Sequence, residues 1–157
     1  MEFILITIGK TKIDYVVAGI KEYLNRLKRY IPFSLVELAD IKSAKGVSEN
    51  IQKQKEGAMI LEKISPSDFV ILLDEKGREY TSVEFANYLQ KLMSIGRKAI
   101  VFVVGGPYGF SEDVYNRADA KLSLSRMTFN HEMIRLFFIE QVYRGMTILR
   151  GEPYHHK

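Results

Sequence analysis

AIVFVVGGPYG, residues 99–109, sets six apolar residues in a row against three glycines and a proline in the next five. A short, mostly β-branched apolar run bounded by turn residues reads as a strand buried on both faces. Runs of the same kind stand at residues 3–8, 33–38 and 68–73, with a shorter one at 122–124. Between them the apolar period changes to that of a helix. Val16, Val17, Ile20, Tyr23, Leu24 and Leu27 recur within residues 14–30, which Pro32 closes, and Ile51, Met59, Ile60 and Leu61 precede Pro66. Ser48 and Ser111 stand where helix N-caps belong, and Thr81 with Glu84 three residues later forms a capping-box pattern for a helix that Gly96 would end. A last long helix is expected from Asn130 to about Leu149. Strands alternating with helices predict an α/β fold with a mostly parallel sheet covered by helices on both faces. Ligands of such sheets lie at the carboxyl ends of the strands, which singles out residues 74–77, 105–109 and 125–129.

Composition narrows the class. A chain of 157 residues suits one domain, residues 1–157, with a core that requires no covalent staple. Cysteine is absent, which excludes disulfides, thiolate zinc sites and a cysteine nucleophile and fits a cytoplasmic protein. The opening MEFILITIGK lacks the basic region, apolar length and cleavage site of a secretory signal, and no apolar stretch is long enough to span a membrane. A net charge of +4 tilts the protein mildly toward anionic partners. Residues 42–46 read as a polar linker.

Single motifs leave the function open. The GGPYG turn allows a nucleoside to approach the backbone, but a ligand-free turn explains it equally well. It matches neither G-x-G-x-x-G nor a P-loop, which disfavours a dinucleotide-binding oxidoreductase. In LDEKGREYTS, residues 73–82, the strand is expected to end and turn through Gly77; Asp74 and Glu75 are then ribose-binding candidates or an ordinary solvated turn. All three histidines, His131, His155 and His156, lie in the last 27 residues, near Arg126, Arg135, Arg144 and Arg150. Arginines with stacking side chains suit an RNA surface, whereas Glu140 and Arg144 at i,i+4 suit a helix ion pair and the final histidines suit a frayed tail. No carboxylate accompanies the histidines at metal-ligand spacing, so no metal is expected. Lys10, Lys12, Lys21, Arg26, Lys28 and Arg29 make the first helix basic, as a phosphate-tracking face or as a solvated one. The helix of residues 133–149 is apolar around much of its girth, which suggests burial on two sides, against its own sheet and a second subunit, or simply a deep core position.

Together, ITIGK, LDEKGREYTSVEFA, FVVGGPYGF and LSLSRMTFNHEMIRLFFIEQVYRGMTILRGEPYHHK resemble the ribosomal RNA large subunit methyltransferase H family, of the SPOUT superfamily, over nearly the whole chain. The resemblance implies a C-terminal trefoil knot over about residues 70–157, a homodimer, and S-adenosyl-L-methionine as cofactor. It implies cofactor contacts from Leu73, Gly105, Leu124, Ser125, Arg126, Met127, Thr128 and Phe129. The implied reaction is N3 methylation of a pseudouridine in large-subunit ribosomal RNA on assembled ribosomes. Arg144, Tyr154 and His155 are candidates for substrate positioning, and Glu140 or His131 for accepting the N3 proton. Two departures from the family pattern are Asn130, where proline is usual, and one extra histidine in the closing Tyr-His-His-Lys. Another SPOUT enzyme, acting on transfer RNA or a ribose 2′-OH, and a non-catalytic ribosome-assembly factor remain alternatives.

Overall fold

The computed structural model describes residues 1–41 and 47–156; the linker expected at 42–46 lies outside them. Its elements are β1 (Glu2–Ile8), α1 (Asp14–Leu27), β2 (Phe33–Leu38), α2 (Glu49–Glu62), β3 (Phe69–Glu79), α3 (Ser82–Ser94), β4 (Ala99–Val104), α4 (Glu112–Arg117), β5 (Ala120–Ser123) and α5 (Met133–Leu149). The strands form one sheet in the order β2-β1-β4-β3-β5. All four neighbouring pairs are parallel, so the sheet is wholly rather than mostly parallel.

The run that opened the reading is the centre of this sheet. Every residue of β4 is buried. Alternate side chains serve opposite layers, as a pleated strand requires. Ile100, Phe102 and Val104 join Phe3, Leu5 and Ile71 under α1, α3 and α5, while Ala99, Val101 and Val103 join Ile6, Val70 and Leu72 against α2 and α4. Phe102 is fully buried, edge-on to Phe3 at 5.6 Å and tilted against Phe138 at 4.8 Å. Phe102→Ala should therefore lower stability by about 3–5 kcal/mol, seen as a reduced denaturant midpoint at unchanged slope.

Helix starts follow the sequence signals. Ser48 Oγ accepts from Ile51 N, Ser111 Oγ from Val114 N, and Thr81 with Glu84 completes the capping box. Gly96 takes the left-handed conformation, φ +76°, just beyond α3. Asn130 Oδ1 accepts from Glu132 N and Met133 N at 2.8 and 3.2 Å, so asparagine caps the turn that leads into α5.

One expectation changes. β3 does not end at Leu73 and turn; it continues to Glu79, with a register shift against β5 between Leu73 and Arg78. Gly77 serves close approach rather than a turn: a Cβ there would lie 2.6 Å from Leu122 N. α5 lies between α1 and α3 on the sheet, which buries Phe138, Ile139, Val142 and Met146 within the chain. Small residues allow this approach: a Cβ on Gly145 would lie 2.8 Å from Leu89, and one on Gly19 would lie 2.9 Å from Leu136. Phe137 is the large apolar residue of α5 left exposed. Among the described residues, no helix is long and apolar enough to cross a membrane.

Candidate active site

The carboxyl ends of β3, β4 and β5 open into a cleft of about 510 Å³, within the range of small-molecule sites. Leu73 and Leu122 give it apolar walls, residues 105–110 form one side, and residues 124–129 fold over the other. The second loop is held by its own side chains: Ser123 Oγ donates to Ser125 O at 2.9 Å, and Met127 N donates to Ser125 Oγ at 3.0 Å. Gly109, at φ +82°, lets the GGPYG segment close on itself through the bridge to Gly106. A Cβ on Gly105 would lie 3.1 Å from the Phe110 ring, which would have to give by a few tenths of an ångström to admit one. Asp74 also lines the cleft and accepts from Tyr115 OH at 2.6 Å; burial and then this bond push the Tyr115 phenol up to about 12.

Seven of the eight residues expected to meet the cofactor line this cleft: Leu73, Gly105, Leu124, Ser125, Met127, Thr128 and Phe129. Arg126 does not; its exposed side chain turns outward, 3.6 Å from Glu79. The loop bends at this point, with Met127 N bonded back to Ser125 Oγ, and the Arg126 side chain lies on the outside of the bend.

The five residues expected to do chemistry fall in two places. His131 lines the cleft. Glu140, Arg144, Tyr154 and His155 form a separate cluster. Arg144 Nη2 donates to Glu140 Oε1 at 2.7 Å, Tyr154 OH donates to the same oxygen at 2.9 Å, and the Arg144 guanidinium lies 4.7 Å from the Tyr154 ring centroid. Arg144 Nη1 stands 3.1 Å from His155 Nδ1. A guanidinium only donates, so Nδ1 is the acceptor in this contact. Tyr23 OH, 3.0 Å from Tyr154 OH, completes the chain. Burial, followed by the bonds to Tyr23 and Glu140, raises the Tyr154 pKa, so its phenol remains a donor at neutral pH. The closing segment is thus tied to α5 rather than frayed. With 1.5 Å per residue, Arg144 stands about 15 Å along α5 from Ile134, which lines the cleft. The cluster does not reach the cleft of its own chain.

Two charged residues, Glu132 and Glu56, escaped the sequence reading, and a third, Arg135, lies elsewhere than it expects. Arg135 is neither in a helix ion pair nor on an RNA surface: it is 1% exposed, with Nη1 3.2 Å from Glu37. Glu132, also buried, accepts from Lys12 N and Ile13 N at 2.8 and 2.9 Å. Glu56 is buried against Gly106, where a Cβ would collide with its carboxylate. Among the described residues Glu56 Oε1 has no partner, and Gln52 reaches only Oε2, at 3.4 Å. Burial raises the Glu56 pKa above its usual range. Between the ordinary carboxylate pKa and this raised one, the folded chain holds a proton that the unfolded chain has lost, so stability falls as pH rises through that window. Glu56→Gln should accordingly stabilise by about 1–2 kcal/mol at pH 8 and by little at pH 3.5, measured as urea midpoints at both pH values.

Residues 1–155 match the family described as "Predicted SPOUT methyltransferase". The chain is 58% identical to "Ribosomal RNA large subunit methyltransferase H" of Parabacteroides distasonis over 157 residues, covering 100% of both chains. It is 56% identical to the protein of that name from Flavobacterium psychrophilum, again over 100% of both. The one from Christiangramia forsetii is 54% identical over 153 residues, 98% of each chain. With its parallel α/β sheet and its loops gathered at the ends of β3, β4 and β5, the chain belongs to the SPOUT methyltransferases, enzymes of knotted fold.

Proposed function

We propose that this enzyme transfers a methyl group from S-adenosyl-L-methionine to N3 of a pseudouridine in large-subunit ribosomal RNA, within the assembled ribosome and therefore in the cytoplasm. The observation that carries this reading is the meeting of three strand-end loops around one cleft, in a chain matching large-subunit methyltransferases end to end. Residues 1–157 act as one domain, with the knotted part, about residues 70–157, holding the cofactor.

The cleft suits that cofactor. Gly105 lines it without a side chain, Leu73, Leu124 and Phe129 supply apolar contact, and Asp74 and Glu75 face the cleft as acceptors for ribose hydroxyls. When bound, the cofactor supplies an electrophilic methyl group on a sulfonium. The residues of the chain must then orient N3 toward it and take up the N3 proton. Glu140 is the acidic member of the distant cluster, and Arg144 beside it favours the anion left when N3 loses its proton.

Because that cluster lies about 9 Å (Glu140) to about 15 Å (Arg144) along α5 from the cleft, a second copy of the chain must bring it there. The enzyme acts as a homodimer, each cleft completed by the partner's closing segment. Modest net charge makes the preformed ribosomal surface the substrate rather than loose RNA.

Methyl transfer from labelled cofactor tests the reading directly. Assembled ribosomes lacking the modification should be labelled on large-subunit RNA, while protein-free ribosomal RNA and transfer RNA should not. Label on transfer RNA would move the substrate; no label and no cofactor binding would leave a ribosome-binding factor instead of an enzyme.

A further inference from the structure

The first turn of α5 is fastened to the loop between β1 and α1 by two buried charges. Both terminal nitrogens of Arg135 reach the end of β1 and this loop, while Nε bonds within its own turn. Nη2 donates to Ile8 O at 2.7 Å, Nη1 to Gly9 O and Thr11 Oγ1 at 2.8 Å each, and Nε to His131 O at 3.2 Å. Glu132 takes the next two backbone N–H groups, those of Lys12 and Ile13. The loop ahead of α1 is thus held at Gly9, Thr11, Lys12 and Ile13 from a helix more than 100 positions later.

This contact adjoins the cleft. Residues 124–130 end at Asn130, whose side chain caps the same turn that Glu132 and Arg135 hold. His131 and residues 105–107 line both the cleft and a second cavity, of about 590 Å³, whose walls include Glu132 and Arg135. An apolar side chain of arginine's length could fill the same volume, and replacing buried ionic groups in that way often costs little stability. Directed hydrogen bonds add something that packing does not: they fix the rotation and height of one turn.

We propose that Arg135 and Glu132 are positioning residues, which fix the far end of the cofactor loop by locking the first turn of α5 to the loop between β1 and α1. The proposal rests on the cofactor reading above. It assigns these residues no contact with substrate. Arg135 sets the turn, Glu132 sets the loop opposite it, and the backbone of residues 124–130 receives the result.

Calorimetric titration of the intact dimer with S-adenosyl-L-methionine, beside steady-state kinetics on ribosomes, tests this. Arg135→Met keeps the packing volume and removes the directed bonds. It should bind the cofactor roughly tenfold more weakly, with KM for the cofactor rising more than kcat falls. Glu132→Ala should show the same weakening, and Glu132→Gln, which keeps an acceptor oxygen, should recover affinity to within about twofold of wild type. The Glu132 pair carries the test if Arg135→Met does not fold. A folded Arg135→Met or Glu132→Ala protein that melts lower yet binds the cofactor as wild type does would overturn the proposal, leaving a purely structural contact. Wild-type protein that fails to bind the cofactor would overturn the cofactor reading itself, and this proposal with it.

Discussion

Arg144→Ala is expected to leave cofactor binding at the wild-type level and to slow methyl transfer to ribosomes at least about a hundredfold, the scale of losing one preorganised donor at a developing charge. The guanidinium holds the cluster together. It bonds Glu140, contacts His155 Nδ1 and lies over the Tyr154 ring. Without it, Glu140 keeps the bond from Tyr154, but His155 is released and no cation remains beside the carboxylate to favour the N3 anion. Cofactor affinity should not follow, because the cluster stands well down α5 from the cleft. Titration with the cofactor and single-turnover transfer, on the same preparation, separate the two effects. Wild-type turnover would remove Arg144 from the chemistry, and a parallel loss of cofactor affinity would contradict the distance between the two places.

Gly105→Val is expected to do the reverse, weakening cofactor binding by more than about a hundredfold while the fold survives. The new Cβ would lie 3.1 Å from the Phe110 ring and 3.3 Å from Gly109 O, and the branched side chain would occupy the wall of the cleft. Wild-type affinity in this variant would take the glycine turn out of the cofactor site. The two inactive variants also test the dimer. After mixing and subunit exchange, about half the dimers hold one chain of each kind. If each cleft is completed by its partner, one of the two sites in such a dimer has a sound cleft and a sound cluster, and the mixture regains about a quarter of wild-type activity. If every chain completes its own cleft, the mixture stays inactive.

The fold was legible because its signals are local. β4 is six apolar residues followed by glycine, and caps at Ser48, Thr81 and Ser111 need only the next three residues to act. The cleft was legible for a related reason: parallel strands place their outgoing loops on one edge, so loops far apart in sequence meet there. β3 was misjudged because Gly77 looks like a turn residue by itself, and only the backbone of Leu122 across the sheet shows why glycine is needed. The Arg126 direction depends on the path of one loop and left no periodic trace. Arg135 did leave one. It precedes Phe138, Ile139 and Val142 by three, four and seven residues, on the stripe that faces the core. An arginine on such a stripe must find buried acceptors, and these lie at the end of β1, which no local pattern could indicate. The separation of His131 from Glu140 follows from helix length alone and could have been read from the spacing.

The strand order carries a consequence for synthesis on the ribosome. β1 is flanked by β2, which follows it closely, and by β4, which begins at Ala99. At 5–20 residues per second, the roughly 90 residues between the end of β1 and the start of β4 take about 5–18 s to emerge. Through that interval β1 has one edge without its neighbour, and β3 waits likewise for β4 and β5. The half-made chain therefore offers apolar strand edges to any passing polypeptide, and its yield in the cell should depend on holdase chaperones more than that of a helical protein of equal length.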